Sequence, residues 1–197
     1  CYHTLPEQLD LFDNETYEAS PMEFHMVATD VNTGKPVYYK CDKFDHKGLE
    51  WVRASASMPL VSRIVEVDGL QMLDGGISDS IPLSFMEKEG YEKNLVVLTQ
   101  PRRYKKEKAS ALSLVAILYG KKSGIYRAMA KRHEMYNREK EYVFKREREG
   151  KAFVLSPKKP LPVGRLEKDP EKLFLAHKIG YETAKENMEE IKKFLAE

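Results

Sequence analysis

Ile64-Val65-Glu66-Val67-Asp68-Gly69-Leu70-Gln71-Met72-Leu73-Asp74-Gly75-Gly76 reads as two short strands closed by a two-residue turn, then an acid and two glycines. Asp68-Gly69 is the dipeptide favoured where both central residues of a hairpin turn need positive φ. Residues 64–67 and 70–73 are therefore predicted to pair. Asp74 then stands at the end of a rigid strand, and the glycines after it let another backbone come close. A catalytic carboxylate is served by that placement, and so is a plain tight turn. The triplet alone does not choose between them.

Outward from this hairpin, residues 23–30 (EFHMVATD) and 36–40 (PVYYK) read as two more strands, joined by a turn that contains Asn32 and Gly34. Downstream, Ser80 is placed to cap a helix whose first turn tolerates Pro82 and which Gly90 ends. Leu95-Val96-Val97-Leu98 is apolar on both faces, as expected of a strand inside a covered sheet, and residues 152–155 (AFVL) form a second run of this type. Strands alternating with helices give the pattern of an α/β fold.

Three helices are predicted to dominate the rest, over 109–119, over 124–150 and in a C-terminal segment opened by Asp169-Pro170. Ile125, Met129, Tyr136 and Val143 fall on one face of the second. Leu173, His177, Gly180, Ala184, Met188, Ile191 and Leu195 fall on one face of the third.

The 197 residues suffice for a real core, and no repeat or low-complexity linker divides them. Lys plus Arg total 33 against 31 Asp plus Glu, too balanced for a chain that coats nucleic acid, so no nucleic-acid partner is expected. Charges on the basic stretch 131–151 are interleaved with glutamates, as on an ordinary solvated helix. Cys1 and Cys41 have no pairing or metal spacing, so a reducing, cytoplasmic compartment is the default. The longest apolar run, residues 109–119, is about half a membrane span.

Taken in order, Val27-Ala28-Thr29-Asp30, Thr33-Gly34-Lys35-Pro36-Val37, Ala54-Ser55-Ala56-Ser57-Met58-Pro59 and Asp74-Gly75-Gly76-Ile77-Ser78-Asp79-Ser80-Ile81-Pro82 resemble the patatin-like phospholipase family. The resemblance is closest to bacterial members with a helical extension, here carrying Arg132-His133, Tyr136-Asn137 and the segment from Pro162 to Pro170. It is expected to cover nearly the whole chain.

The resemblance implies an α/β fold, a layered sheet flanked by helices, with a mainly helical C-terminal extension. Residues 1–108 would be the C-terminal part of the hydrolase core, and residues 109–197 the extension with a short strand, packed on the same unit. It also implies a serine acyl hydrolase acting on phospholipid or lipid esters through a Ser-Asp dyad, with Asp74 as the catalytic aspartate and Gly75 and Gly76 shaping its approach.

The family's nucleophile elbow, Gly-x-Ser-x-Gly, is absent from the 197 residues, as is a glycine-rich oxyanion loop. Ser57, Ser78 and Ser80 lack flanking glycines and are not expected to replace it. The nucleophile is therefore expected upstream, the chain being the C-terminal portion of a longer protein and inactive alone. The alternative is a catalytically inactive patatin scaffold that binds a membrane or a protein. A fragment with an uncovered sheet edge is also expected to self-associate.

Arg102, Arg103, Lys105 and Lys106 precede the apolar run, and Lys121-Lys122 follow it. Cations beside an apolar segment suit transient contact with a phospholipid surface, while a solvated loop before a core helix is the plainer reading. His3, His25, His46, His133 and His177 contain no His-x-x-x-His pair and lie near no Cys cluster, so spacing points to no metal site and no cofactor is expected. Asp68, Asp74 and Asp79 do not have the alternating carboxylates of a calcium loop.

Overall fold

A computed structural model describes residues 2–121, 123–164 and 166–196. Cys1, Lys122 of the second basic pair and Arg165 of the extension segment lie outside the described residues. The elements in chain order are a π-helical turn Leu5–Leu9, α1 Asn14–Ala19, β1 His25–Asp30, β2 Pro36–Lys40, α2 His46–Ser55, β3 Val65–Val67 and β4 Leu70–Asp74. After a 3-10 turn at Gly75–Ile77 come α3 Leu83–Lys88, β5 Asn94–Val97, α4 Leu112–Tyr119, α5 Gly124–Arg148, β6 Ala152–Leu155, α6 Pro170–Glu186 and α7 Met188–Ala196. They form two compact units, Cys1–Pro82 with Glu107–Tyr136, and Leu83–Lys106 with Asn137–Glu197.

In the first unit an antiparallel sheet has the order β2-β1-β4-β3. The predicted turn closes β3 on β4 with φ of 51° at Asp68 and 73° at Gly69, both positive as a tight hairpin requires. Successive strand residues point to opposite faces, so Met72 and Leu73, both fully buried, serve two different cores. Met72 packs with Met26, Ala28, Trp51 and Ala54, under α2. Leu73 packs with Val31, Ile77, Val115, Ile125 and Met129, under α4 and the first half of α5. The sheet is thus the middle layer between helices, and each large apolar side chain fully buried there stabilises it by about 1.5–3 kcal/mol.

Asp45 opens α2 by accepting the Gly48 N–H at 2.9 Å, one of the helix's otherwise orphan donors. The start of α5 lies directly on the β1–β2 turn. A Cβ on Gly34 would fall 2.3 Å from the Gly124 carbonyl oxygen, and one on Gly124 would fall 2.3 Å from the Gly34 nitrogen. The Ile125 N–H donates to the Val31 carbonyl beside them at 3.0 Å.

Apolar α4 is largely uncovered. Val115 is fully buried, but Leu114, Ile117 and Leu118 are 52, 81 and 62% exposed. The expected core helix therefore buries a single residue, Val115, with Leu112, Ala116 and Tyr119 half-buried beside it.

In the second unit β5 and β6 pair in parallel, from Asn94 opposite Ala152 to Val97 opposite Leu155. Full cover on both faces is not found: Val96 is buried, while Leu95 and Val97 on the other face are 42 and 68% exposed, even though Phe153 of that face meets the Phe194 ring of α7. From α5, Tyr142 and Arg146 both donate to the Glu87 carboxylate of α3. Lys140 is buried, its ammonium donating to the Arg102 carbonyl at 3.2 Å, and burial pushes its pKa down.

The single C-terminal helix expected from sequence is two. At Asn187 the side-chain amide turns back to the Thr183 carbonyl at 2.8 Å, the kind of local bond that competes with the helical ladder. The predicted stripe is also displaced. Leu173, His177, Gly180, Met188 and Leu195 are exposed, and the inward residues are Ala176, Ile179, Thr183, Ala184 and Ile191. No residue of α6 is fully buried, and its half-buried face is less apolar than its outer one.

Candidate active site

Asp74 ends β4, where pairing with β1 sets it opposite Ala28. Its backbone is held on both sides: the N–H donates to the Ser57 carbonyl at 2.8 Å, and the carbonyl accepts the Thr29 hydroxyl at 2.8 Å. A hydroxyl has one proton to give, so the Ser78 hydroxyl, 2.7 Å from Thr29 Oγ1, donates to Thr29. The three motif segments, around Thr29, Ser57 and Asp74, therefore meet at a single residue.

The carboxylate is fixed from one side only. Oδ1 accepts the Gly76 N–H at 2.7 Å, and Oδ2 takes no hydrogen bond from the described residues. One oxygen anchors the group while the other remains available to a proton donor, the arrangement a general base needs.

The two glycines have different reasons. A Cβ at Gly75 would lie 2.2 Å from the Val27 carbonyl oxygen, so only glycine lets the chain cross β1. At Gly76 a Cβ would come to 3.0 Å from Asp74 Oδ1 and 3.4 Å from Arg132 Nη2, crowding the carboxylate itself. The Gly76 carbonyl accepts two bonds, from Arg132 Nε and from Ser80 Oγ, each at 2.7 Å. Ser80 had been expected to cap a helix. That helix opens only at Leu83, and the Ser80 hydroxyl is turned back onto the Gly76 carbonyl.

Arg132 had no role assigned from sequence. The available signal was a cation on the apolar face of α5, four residues before Tyr136 and three after Met129, which is unfavourable unless the charge has a partner. Next to the turn, Asp79 accepts the Tyr38 hydroxyl on Oδ2, while its buried Oδ1 has no partner among the described residues.

Ser57 donates to the Arg53 carbonyl at 2.7 Å; with Ser78 and Ser80 engaged as above, each nearby serine hydroxyl serves local structure. Beside Ile77 and Ser78 opens a cleft of ≈ 400 Å³ whose lining includes Thr33, Tyr126, Arg127 and Lys131. Its wall is mostly apolar with two cationic side chains.

Of the basic cluster, Arg102 pairs with Glu147 and lies over the Phe144 ring, 4.6 Å from its centroid. The Lys106 backbone is held by the Asn137 side chain through both its N–H and its carbonyl, at 2.9 and 3.0 Å. No helix among the described residues is long and apolar enough to cross a membrane.

Residues 9–86 match the family described as patatin-like phospholipase, and residues 122–196 match a domain of unknown function, DUF6363. The patatin match thus ends at Met86, and the helical extension matches a family model of its own. The chain is 33% identical over 102 residues to the uncharacterized protein YjjU of Escherichia coli K12, a match covering 49% of this chain and 26% of that protein. It is 35% identical over 75 residues to the uncharacterized NTE family protein Rv1063c of Mycobacterium tuberculosis, covering 38% of this chain and 20% of that protein. The matched segment therefore spans about a quarter or less of these relatives.

Proposed function

We propose, for a chain whose residues 9–86 match the patatin-like phospholipase family, that the intact protein hydrolyses phospholipid or lipid esters with Asp74 as general base. The observation that carries this reading is the carboxylate with Oδ1 tied to the Gly76 N–H and Oδ2 without a hydrogen bond from the described residues. The serine comes from a Gly-x-Ser-x-Gly elbow outside these 197 residues. Its proton passes to Asp74 Oδ2 as its oxygen bonds to the ester carbon. The tetrahedral intermediate expels the alcohol, which takes that proton from Asp74. Water then attacks the acyl-enzyme, again giving its proton to Asp74, and the serine leaves with it, so the carboxylate ends unprotonated.

The cleft beside Ser78 fits a lipid ester, with apolar wall for an acyl chain and Arg127 and Lys131 for an anionic head group. Contact with an anionic membrane is proposed through the exposed α4 side chains Leu114, Ile117 and Leu118, with Lys108 and Lys121 flanking the helix; in the second unit, Arg102, Arg103, Lys105 and Lys106 are proposed separately as a basic stretch for such a surface. Each cation near such a surface adds about 1 kcal/mol.

The test is hydrolysis of a short-chain chromogenic ester and of phospholipid vesicles by the full-length protein, beside Asp74→Asn. Loss of turnover in a folded Asp74→Asn protein supports the reading; retained turnover removes Asp74 as the base. The second reading, a scaffold that binds membranes without catalysis, draws on the uncovered α4. It is favoured if the full-length protein binds vesicles and hydrolyses neither substrate.

A further inference from the structure

His46 and Glu50 lie four residues apart on α2, the spacing that brings two side chains onto one helix face. His3, far away in sequence, is folded onto that face. Its ring stacks on His46 with centroids 4.6 Å apart and planes 25° apart, and its Nε2 is 2.6 Å from Glu50 Oε1. One ligand atom from each of the three lies within 4.8 Å of the others. We infer that His3, His46 and Glu50 form a binding site for a divalent transition metal, with zinc the ion that best fits two imidazoles and one carboxylate.

The donors match the chemistry. Three protein ligands of this kind with a fourth position left to water is a familiar zinc arrangement, and imidazole nitrogens favour zinc and its neighbours over magnesium or calcium. The metal would replace the proton now shared between His3 Nε2 and Glu50 Oε1. Bonds of about 2.0–2.1 Å to each ligand require the two imidazoles to turn out of their present stack, so that the in-plane lone pairs of both rings converge on the ion.

The surroundings also match. A metal-bound histidine typically directs its second nitrogen at a carboxylate. His3 Nδ1 is buried without a hydrogen bond among the described residues, and Glu7 Oε1 lies 3.5 Å from it. Glu50 is in turn held by Arg53, whose Nε donates to Oε1 at 2.9 Å while Nη2 donates to Oε2. The site would pin the segment before α1 to α2, and it is independent of the hydrolase reading.

The experiment is calorimetric titration of the chelator-stripped full-length protein with Zn²⁺, repeated on His46→Ala, Glu50→Gln, Glu7→Gln and a His177→Ala control. Circular dichroism confirms that each variant folds; His46 is exposed, so its removal leaves the metal-free fold intact. The expected result is one site per chain, weakened more than about tenfold in His46→Ala and Glu50→Gln, about tenfold in Glu7→Gln, and unchanged in His177→Ala. Substituted Co²⁺ should show a visible spectrum of tetrahedral intensity that disappears in His46→Ala. Absence of Zn²⁺ binding, or binding unaltered in His46→Ala, overturns the proposal.

Discussion

The Arg132 guanidinium reaches across from α5 to donate from Nε to the Gly76 carbonyl at 2.7 Å, tying the turn that carries the candidate base to a helix 56 residues away in sequence. Arg132→Ala removes that bond but leaves the Ser80 hydroxyl on the same carbonyl. The loss of a bond to a charged group costs about 1.5–3 kcal/mol, and the remaining donor keeps the effect at the low end. Urea unfolding should report that loss, and ester hydrolysis by the full-length protein should fall by more than the loss of folded protein accounts for.

Gly75→Ala places a methyl group 2.2 Å from the Val27 carbonyl oxygen. Backbone cannot yield as a flexible side chain does, so β1 and the turn must separate, at a cost of about 1–3 kcal/mol or more. Thermal unfolding should show a clear drop in Tm. At Gly76 the same change meets side-chain atoms at 3.0 Å and beyond, so Gly76→Ala should be the milder of the two in stability.

Burial alone would raise the Glu87 pKa, but the hydrogen bonds from Tyr142 and Arg146 outweigh it and hold the carboxyl below its usual 4.5. A carboxylate depressed on folding stabilises above its unfolded pKa, and that contribution is lost as pH falls through the lower folded value. The stability difference between the native protein and Glu87→Gln should therefore be largest at neutral pH and shrink on acidification below about 4.5. Urea unfolding of both proteins across the carboxylate range measures it; a difference independent of pH would show that the anion contributes nothing.

Replacing Leu114, Ile117 and Leu118 by serine should change the unfolding free energy by no more than about 0.5 kcal/mol at each position, since all three are more than half exposed. Sedimentation with anionic vesicles should nonetheless lose binding. Unchanged binding would remove α4 from the membrane reading.

The first unit was largely legible because its signals are local. The Asp68-Gly69 turn, the alternation of Met72 and Leu73 and the glycines after Asp74 each declare their geometry within a few residues. The site was legible only at its centre. Thr29, Ser57 and Arg132 act on Asp74 and Gly76 from distant segments, through a hydroxyl, a main-chain carbonyl and a guanidinium, and spacing along the chain does not encode such contacts.

The C-terminal half misled for a physical reason. Apolar periodicity marks the more hydrophobic face of a helix, whereas α6 packs the face bearing Ala176, Thr183 and Ala184 and leaves Leu173, Phe174 and Leu175 outside. Likewise, the apolar β5 sequence anticipated two covered faces, while Val97 faces outward.

Gly34 and Gly124 touch backbone to backbone, each occupying the space a side chain on the other would need. Their tolerances are therefore not separable. Once a methyl group on either has driven the β1–β2 turn from the head of α5, the clash at the second position is already gone, and only the cost of a side chain at the positive φ of 73° remains at Gly34. The two single substitutions should then sum to more than the double one costs, a coupling of the kind that contact pairs show at about 0.5–3 kcal/mol. In mutational terms the pair behaves as one site written at two places in the chain.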